Sequence, residues 1–120
     1  QLLGSQHEHL RVWAVQLELD DRAAGEAMRE RFATMAKNDP SPVVRLYLAS
    51  ALQRLPIDQR WPIAEALAGH EKDADDPNLP LMIWYGIEPA VAVDKSKALR
   101  LAATCRIPIV RQFIARRLAE

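Results

Sequence analysis

The chain has 120 residues, 49% hydrophobic and 27% charged, which suffices for one domain with a continuous core and not for two. Its 16 Lys and Arg balance 16 Asp and Glu, removing the general pull on nucleic acid or anionic lipid that a basic domain exerts. No apolar run is long enough to cross a bilayer, and the single cysteine, Cys105, stands in no Cys-x-x-Cys or Cys-x-x-Cys-His setting, so zinc and covalently attached haem lack a ligand set in this chain.

The first helix is expected over about 6 to 19, where Leu10, Trp13, Ala14 and Leu17 recur at three- and four-residue spacing, with Asp20 and Asp21 closing it in a turn. A second, over about 24 to 37, buries Met28, Phe32, Met35 and Ala36 and turns Glu26, Arg29, Glu30 and Lys37 to water. The run Asn38-Asp39-Pro40-Ser41-Pro42 breaks it, and Ser41 before Pro42 is the expected cap and first position of a third helix, over about 42 to 54. That helix is expected to pack Val43, Val44, Leu48, Ala51 and Leu52 inward. Pro56 ends it, and a fourth helix runs to about Gly69 with Trp61, Ala64, Leu67 and Ala68 on one face and Pro62 in its first turn. Gly69 to Asn78 is the longest loop, with Asp76-Pro77-Asn78 as a turn. A short fifth helix, about 79 to 87, is expected to stop before Pro89. The sixth starts at an Asp94 cap and carries Leu99, Ala102 and Ala103, and the seventh, from Pro108 to about Ala119, presents Ile109, Val110, Phe113, Ile114 and Leu118 on one face.

One phrase recurs along these elements. Pro42-Val43-Val44-Arg45-Leu46-Tyr47 is echoed by Pro108-Ile109-Val110-Arg111-Gln112-Phe113, and more faintly by Pro80-Leu81-Met82-Ile83-Trp84-Tyr85 and by Glu8-His9-Leu10-Arg11-Val12-Trp13. Repeats at intervals of roughly 20 to 50 residues mark stacked helical hairpins. In register, the copies align Trp13, Tyr47, Tyr85 and Phe113, and a large residue recurring where each hairpin buries its apolar face on its neighbours is expected to be core packing.

Asp39-Pro40-Ser41-Pro42-Val43-Val44-Arg45, followed by Ala49 and Leu52, resembles the second helix of a HEAT repeat. The resemblance implies an all-α fold, a right-handed α-α superhelix of HEAT- or ARM-like hairpins with about seven helices. In that family an Asp in the inter-helix turn and an Arg six positions later form a hydrogen-bonded ladder between successive repeats, which puts Asp39 and Arg45 in those roles. Arg11 and Arg111 match the Arg alone, because Ser5 and Cys105 stand where the Asp would be, and Ile83 breaks the pattern in the third copy.

From Asp39 to the end, Arg60-Trp61-Pro62-Ile63-Ala64, the loop and helix from His70 to Pro89, and Phe113-Ile114-Ala115-Arg116-Arg117 look like the HEAT-repeat segment of large planctomycete and verrucomicrobial proteins. Those proteins join a sugar-dehydrogenase-like β-propeller, this helical segment and a cytochrome c-type haem domain. The resemblance implies a linking or docking segment of an exported, extracytoplasmic redox protein, with haem c held by a neighbouring domain and no cofactor in this chain. Gln1 at the first position, with no signal segment after it, is likewise expected of a piece of a longer protein.

The loop acids Glu71, Asp73, Asp75 and Asp76 offer oxygen ligands for calcium, with Asp73, Asp75 and Asp76 as the candidate set, but lack the mid-loop glycine and closing Glu of an EF-hand. Capping of the fifth helix by Asp76 and Asn78 is the favoured reading. His7, His9 and His70 form no i, i+4 pair, the serines lack a glycine-flanked elbow, and small helical hairpins offer no deep cleft to raise a carboxyl pKa, so no catalytic residue is assigned. Asp39, Arg45, Arg111, Trp84, Tyr85, Asp76 and Asn78 are the expected structural and interaction residues.

Arg45, Arg54, Arg106, Arg111, Arg116 and Arg117 lend the second-helix row a basic tendency, which net neutrality and the missing aromatic-basic interleaving weigh against reading as a nucleic-acid surface. These observations lead to a non-enzymatic scaffold that docks neighbouring domains of a parent chain or another protein. The alternatives are a nucleic-acid-binding helical repeat and an accessory part of a sugar-dehydrogenase-like oxidoreductase whose catalytic and haem domains lie elsewhere. Apolar residues around the first helix, Leu10, Val12, Trp13, Val15 and Leu17, and on the last one suggest uncapped ends and weak self-association.

Overall fold

Helix starts follow from single side chains. The computed structural model describes residues 7–20, of which 17–20 by backbone alone, and 25–120. It contains α1 (Glu8–Asp20), α2 (Glu26–Asn38), α3 (Pro42–Ala51), α4 (Trp61–Ala68), α5 (Leu79–Val91), α6 (Lys95–Thr104) and α7 (Pro108–Ala119), with 3-10 turns at Leu52–Arg54, Ile57–Gln59 and Glu71–Asp75. The Ser41 hydroxyl accepts from the Val44 N–H at 3.3 Å just before Pro42, and the Asp94 carboxylate accepts from the Lys97 N–H at 3.1 Å. Each satisfies a donor that the first helical turn leaves unpaired. The expected Leu17 side chain, the turn at Asp21, the start at Ala24 and Ser5 lie outside the described residues.

The odd-numbered helices are neighbours in one row, α1 on α3, α3 on α5 and α5 on α7, while α2 packs on α4 and α4 on α6 in a second row. All regular elements among the described residues are helical. Between the rows lies one continuous core in which Phe32, Leu48, Ile63, Leu67, Ile87 and Ile114 are fully buried. At Gly86 a Cβ would sit 2.7 Å from the Leu52 Cβ, so α5 comes this close to the 3-10 turn after α3 only because that residue has no side chain.

Three expectations are corrected. α5 continues through Pro89 to Val91, although a proline inside a helix costs about 3 kcal/mol. Ile87, Ala90 and Val91 are buried on that stretch, and the burial offsets the cost. Arg60 reinforces it, donating from Nη1 to the Gly86 carbonyl at 2.8 Å, beside the Tyr85 carbonyl that Pro89 leaves without its helical donor. In α6 the buried positions are Ala98 and Leu101, whereas Leu99 is 63% exposed, because docking on α4 and α7 sets the inward face one residue away from the one expected. Val43, expected inside, is 42% exposed.

Candidate docking face and buried ion-pair ladder

Arginines of the odd row are tied to turns between hairpins. From α1, Arg11 grips Asp39 with two nitrogens, Nε to Oδ2 at 2.7 Å and Nη2 to Oδ1 at 3.0 Å. From α3, Arg45 does the same to Asp73, Nε to Oδ2 and Nη2 to Oδ1, both at 2.7 Å. Planar forks on carboxylates of this kind are the strong, orientation-specific form of ion pair. The Asp39 carboxylate also accepts the Ser41 N–H at 2.9 Å, the Ser41 hydroxyl donates to Glu8, and Arg45 Nη1 donates to the Asp39 carbonyl at 2.7 Å. The Asp39 bond holds the Arg11 guanidinium's pKa above its ordinary value, against the opposing effect of burial.

The Asp39–Arg45 pairing is therefore corrected in its atoms. Arg45 meets the Asp39 main chain, and its carboxylate partner is Asp73, one hairpin further on. Asp39 is turned toward Arg11 and its own turn, so its carboxylate serves α1. Both rungs span 28 residues. That spacing was present in the sequence, since Arg11 to Arg45 and Asp39 to Asp73 are each 34 residues. Counting back from Pro80 conceals Asp73, because the 3-10 turn Glu71–Asp75 moves it out of the register set by the helix start. Arg111 repeats only the main-chain half of the arrangement, donating from Nη2 to the Cys105 carbonyl at 2.7 Å. Burial pushes the Cys105 thiol pKa up.

The acidic loop does not gather its acids around an ion. Asp73, 3% exposed, is engaged by Arg45, and Asp76 Oδ1 accepts the Asn78 and Leu79 N–H groups at 2.8 and 2.9 Å, whereas Asp75 is exposed. Among the described residues no group of three or more His, Cys, Asp or Glu is placed to hold a metal. The Asp73, Asp75, Asp76 set is thus corrected: the buried guanidinium takes the carboxylate that would anchor a site. Asp76 caps α5, while the Asn78 side chain makes no cap bond. His70 Nε2 bonds the Ala36 carbonyl and ties the end of α4 to α2.

The aligned rings are the largest correction. Trp13 is 63% exposed, Tyr85 52% and Tyr47 37%, and only Phe113 is half-buried, its centroid 5.4 Å from that of Trp84. The inward position is the next residue in each copy: Ala14, Leu48, Gly86 and Ile114 are all buried. One turn before each ring, Leu10, Val43, Leu81 and Ile109 are also exposed, at 39 to 42%. An apolar stripe therefore crosses all four helices of the odd row. Between α3 and α5 it dips into a recess of about 270 Å³ lined by Leu46, Tyr47, Ser50, Asn78 and Met82.

The basic tendency of this row contracts to one end. Arg45 is buried in its pair, Arg117 pairs with Glu88 at 3.1 Å, and Arg54 is engaged, leaving Arg106, Arg111 and Arg116 exposed along α7 and the turn before it. Across the even row a groove of about 530 Å³ mixes Glu26, Glu30 and Glu65 with Arg29, Lys97 and Arg100. The sequence assigned no role to Arg60, which among the described residues is buried against carbonyls, Leu55 at 2.9 Å, Gly86 at 2.8 Å and Gln53 at 3.4 Å, and whose pKa desolvation lowers. No described helix is long and apolar enough to cross a membrane. No protein-family model, curated protein or solved structure matches the chain.

Proposed function

We infer that the chain is a non-catalytic scaffold, a HEAT-like right-handed α-α superhelix whose odd row docks another protein or a neighbouring domain. The observation that carries this reading is the stripe of Leu10, Trp13, Val43, Tyr47, Leu81, Tyr85 and Ile109 left in water on the four helices of the odd row. Contiguous apolar side chains on a protein surface are characteristic of interaction sites. Exposed Trp and Tyr are the residues most often found to dominate interface energetics. The recess at the middle of the stripe lies below the roughly 300 to 1,000 Å³ of small-molecule sites and suits a single anchoring side chain of a partner. Successive packing within two rows, stitched by arginine forks at equal spacing, supports stacked hairpins.

Exposed rings are also one requirement of a nucleic-acid platform, but the other is free positive charge between them. Arg11 and Arg45, the arginines nearest Trp13 and Tyr47 in sequence, are committed to Asp39 and Asp73. Protein docking is therefore the favoured reading. By the family resemblance of the sequence, the partner would be a domain of an exported haem-containing redox protein.

Site-specific photo-crosslinkers at Trp13, Tyr47 and Tyr85, compared with others at Glu65 and Arg100 on the even row, test the assignment in an extract of the source cells. One common partner captured from the three stripe positions and not from the even row is the expected result. Equal capture from both faces, or no stripe-specific adduct, overturns it.

A further inference from the structure

We propose that the odd row receives one amphipathic helix of a partner protein, laid across α1, α3, α5 and α7, with its apolar residues on one face and acidic residues at the end that reaches α7. This deepens the docking role inferred for the stripe and rests on it. It adds the occupant's secondary structure, its direction of crossing and its charge.

The spacing of the stripe selects the secondary structure. Its apolar groups recur from one helix of the row to the next, and packed helices lie about 8 to 10 Å apart. An α-helix rises about 1.5 Å per residue, so residues seven apart share a face and stand about 10.5 Å from one another. A helix crossing the row therefore brings one apolar side chain to each crest, such as Val43 with Tyr47 or Leu81 with Tyr85. The residue three or four positions later falls over the furrow between crests. Between α3 and α5 that furrow is the recess of about 270 Å³, with Leu46 and Met82 among its lining residues. Spanning four crests takes about 24 to 30 Å, the length of a helix of about 16 to 20 residues.

An extended segment fits less well. Its same-face residues repeat at about 6.6 Å, short of the distance between crests. Its main-chain N–H and C=O groups would also lie over apolar side chains, because the backbone groups of α3 and α5 are used within those helices. A helix satisfies its own backbone and presents side chains alone.

Charge sets the orientation. The residue one turn beyond the ring is Gln16 on α1, Ser50 on α3, Glu88 on α5 and Arg116 on α7. Glu88 is engaged by Arg117 at 3.1 Å, whereas Arg116 is exposed and has no carboxylate partner among the described residues. Arg106 and Arg111, also exposed, add positive potential at this end. An occupant with carboxylates over α7 and neutral residues over α1 and α3 complements that distribution.

The probe is a synthetic peptide of about 18 residues with leucines at three-, four- and seven-residue spacing and glutamates in its first turn, where they also favour the helix. Trp13 reports its binding, since it is 63% exposed while Trp61 is buried and Trp84 half-buried. Saturable binding with a blue shift of the Trp13 emission is expected. Exchanging the glutamates for lysines, or Arg116→Glu in the chain, is expected to weaken binding about tenfold, and combining the two changes to recover it. Tyr85→Ser is expected to weaken binding about tenfold with the unfolding midpoint unchanged, and Arg100→Glu on the even row to leave binding as it is. A peptide of the same composition with leucines at alternate positions is expected not to bind.

Equal binding of the two leucine patterns, or no effect of Tyr85→Ser and Arg116→Glu, overturns the proposal. Retention of the chain on phosphatidylcholine–phosphatidylglycerol vesicles in place of the peptide would assign the stripe to a lipid surface and overturn it. A dimer of the chain that Tyr85→Ser dissolves would make a second copy the occupant and do the same. If the crosslinker at Tyr47 captures a partner that the peptide does not displace, the docking face stands and the helical occupant falls. Absence of any stripe-specific adduct removes the docking face and this inference with it.

Discussion

Two buried arginines hold this molecule together in different ways. Arg45, on α3, spans to the next hairpin and closes on a carboxylate, so its positive charge is neutralised where it lies. Arg60, at the start of α4, donates to main-chain oxygens of Gln53, Leu55 and Gly86 and has no carboxylate partner among the described residues. The first fastens α3 to the turn before α5, and the Arg11–Asp39 fork repeats its 28-residue span. The second closes the break after α3 and supports α5 near Pro89, where the backbone departs from regularity. Their difference teaches that burial of a guanidinium has two solutions here, one electrostatic and periodic, the other local and made of dipoles.

The largest expected effect comes from removing one half of the electrostatic solution. Asp73→Ala leaves the Arg45 guanidinium buried without a counter-charge and is expected to cost about 3 to 5 kcal/mol in denaturant unfolding. Adding Arg45→Met should return much of that loss. A double variant no more stable than the single one would mean that the pair acts through geometry and not charge.

Arg60→Met tests the dipolar solution. It removes the side-chain donor to the Leu55 and Gly86 carbonyls, and an expected loss of about 2 to 3 kcal/mol follows from the charged hydrogen bonds removed. Because no carboxylate is involved, no companion substitution of an acidic residue should rescue it. Measured in the same denaturant series, a rescue of this kind would collapse the distinction between the two arginines.

Gly86→Ala sharpens the role of the α5 backbone that Arg60 supports. The new methyl would meet Leu52, and overpacking of this kind costs about 1 to 3 kcal/mol, offset by up to about 1 kcal/mol of helix propensity. A net loss of about 1 to 2 kcal/mol is expected from thermal or urea unfolding. Pairing it with Leu52→Ala, which vacates the contact, should give a loss smaller than the sum of the two singles.

The smallest effects are expected on the outer face. Trp13→Ser and Tyr85→Ser remove large rings that touch water more than protein, and each should shift stability by no more than about 0.5 kcal/mol. Urea midpoints check this directly, and a loss above about 1.5 kcal/mol would return these rings to the core. The contrast with Asp73 separates side chains that hold the rows together from those left in water.

Which of these features could be read in advance follows from their range in sequence. Ser41-Pro42 and Asp94 act within one helical turn, so the starts of α3 and α6 were legible, as was the buried face of α4 with Trp61, Ala64, Leu67 and Ala68. The ring position was legible as a repeat and misread as to side. Tyr47 and Phe113 each precede an apolar residue, Leu48 and Ile114, and a three-to-four spacing fits either of two adjacent positions. The continuation of α5 past Pro89 was not legible, because it depends on burial of Ala90 and Val91 and on Arg60, whose Nη1 bond to Gly86 crosses 26 residues.

Local chemistry and periodicity by themselves determined that the described residues make seven amphipathic helices with recurring arginines, since caps, proline breaks and apolar spacing all act over a few residues. Only tertiary packing decided which flank of each helix faces the core, that Asp73 and not Asp39 holds Arg45 through its carboxylate, and that the rings stay in water. Those outcomes depend on groups about 28 residues apart competing for the same buried space and the same charge. No single helix contains the information to settle that competition.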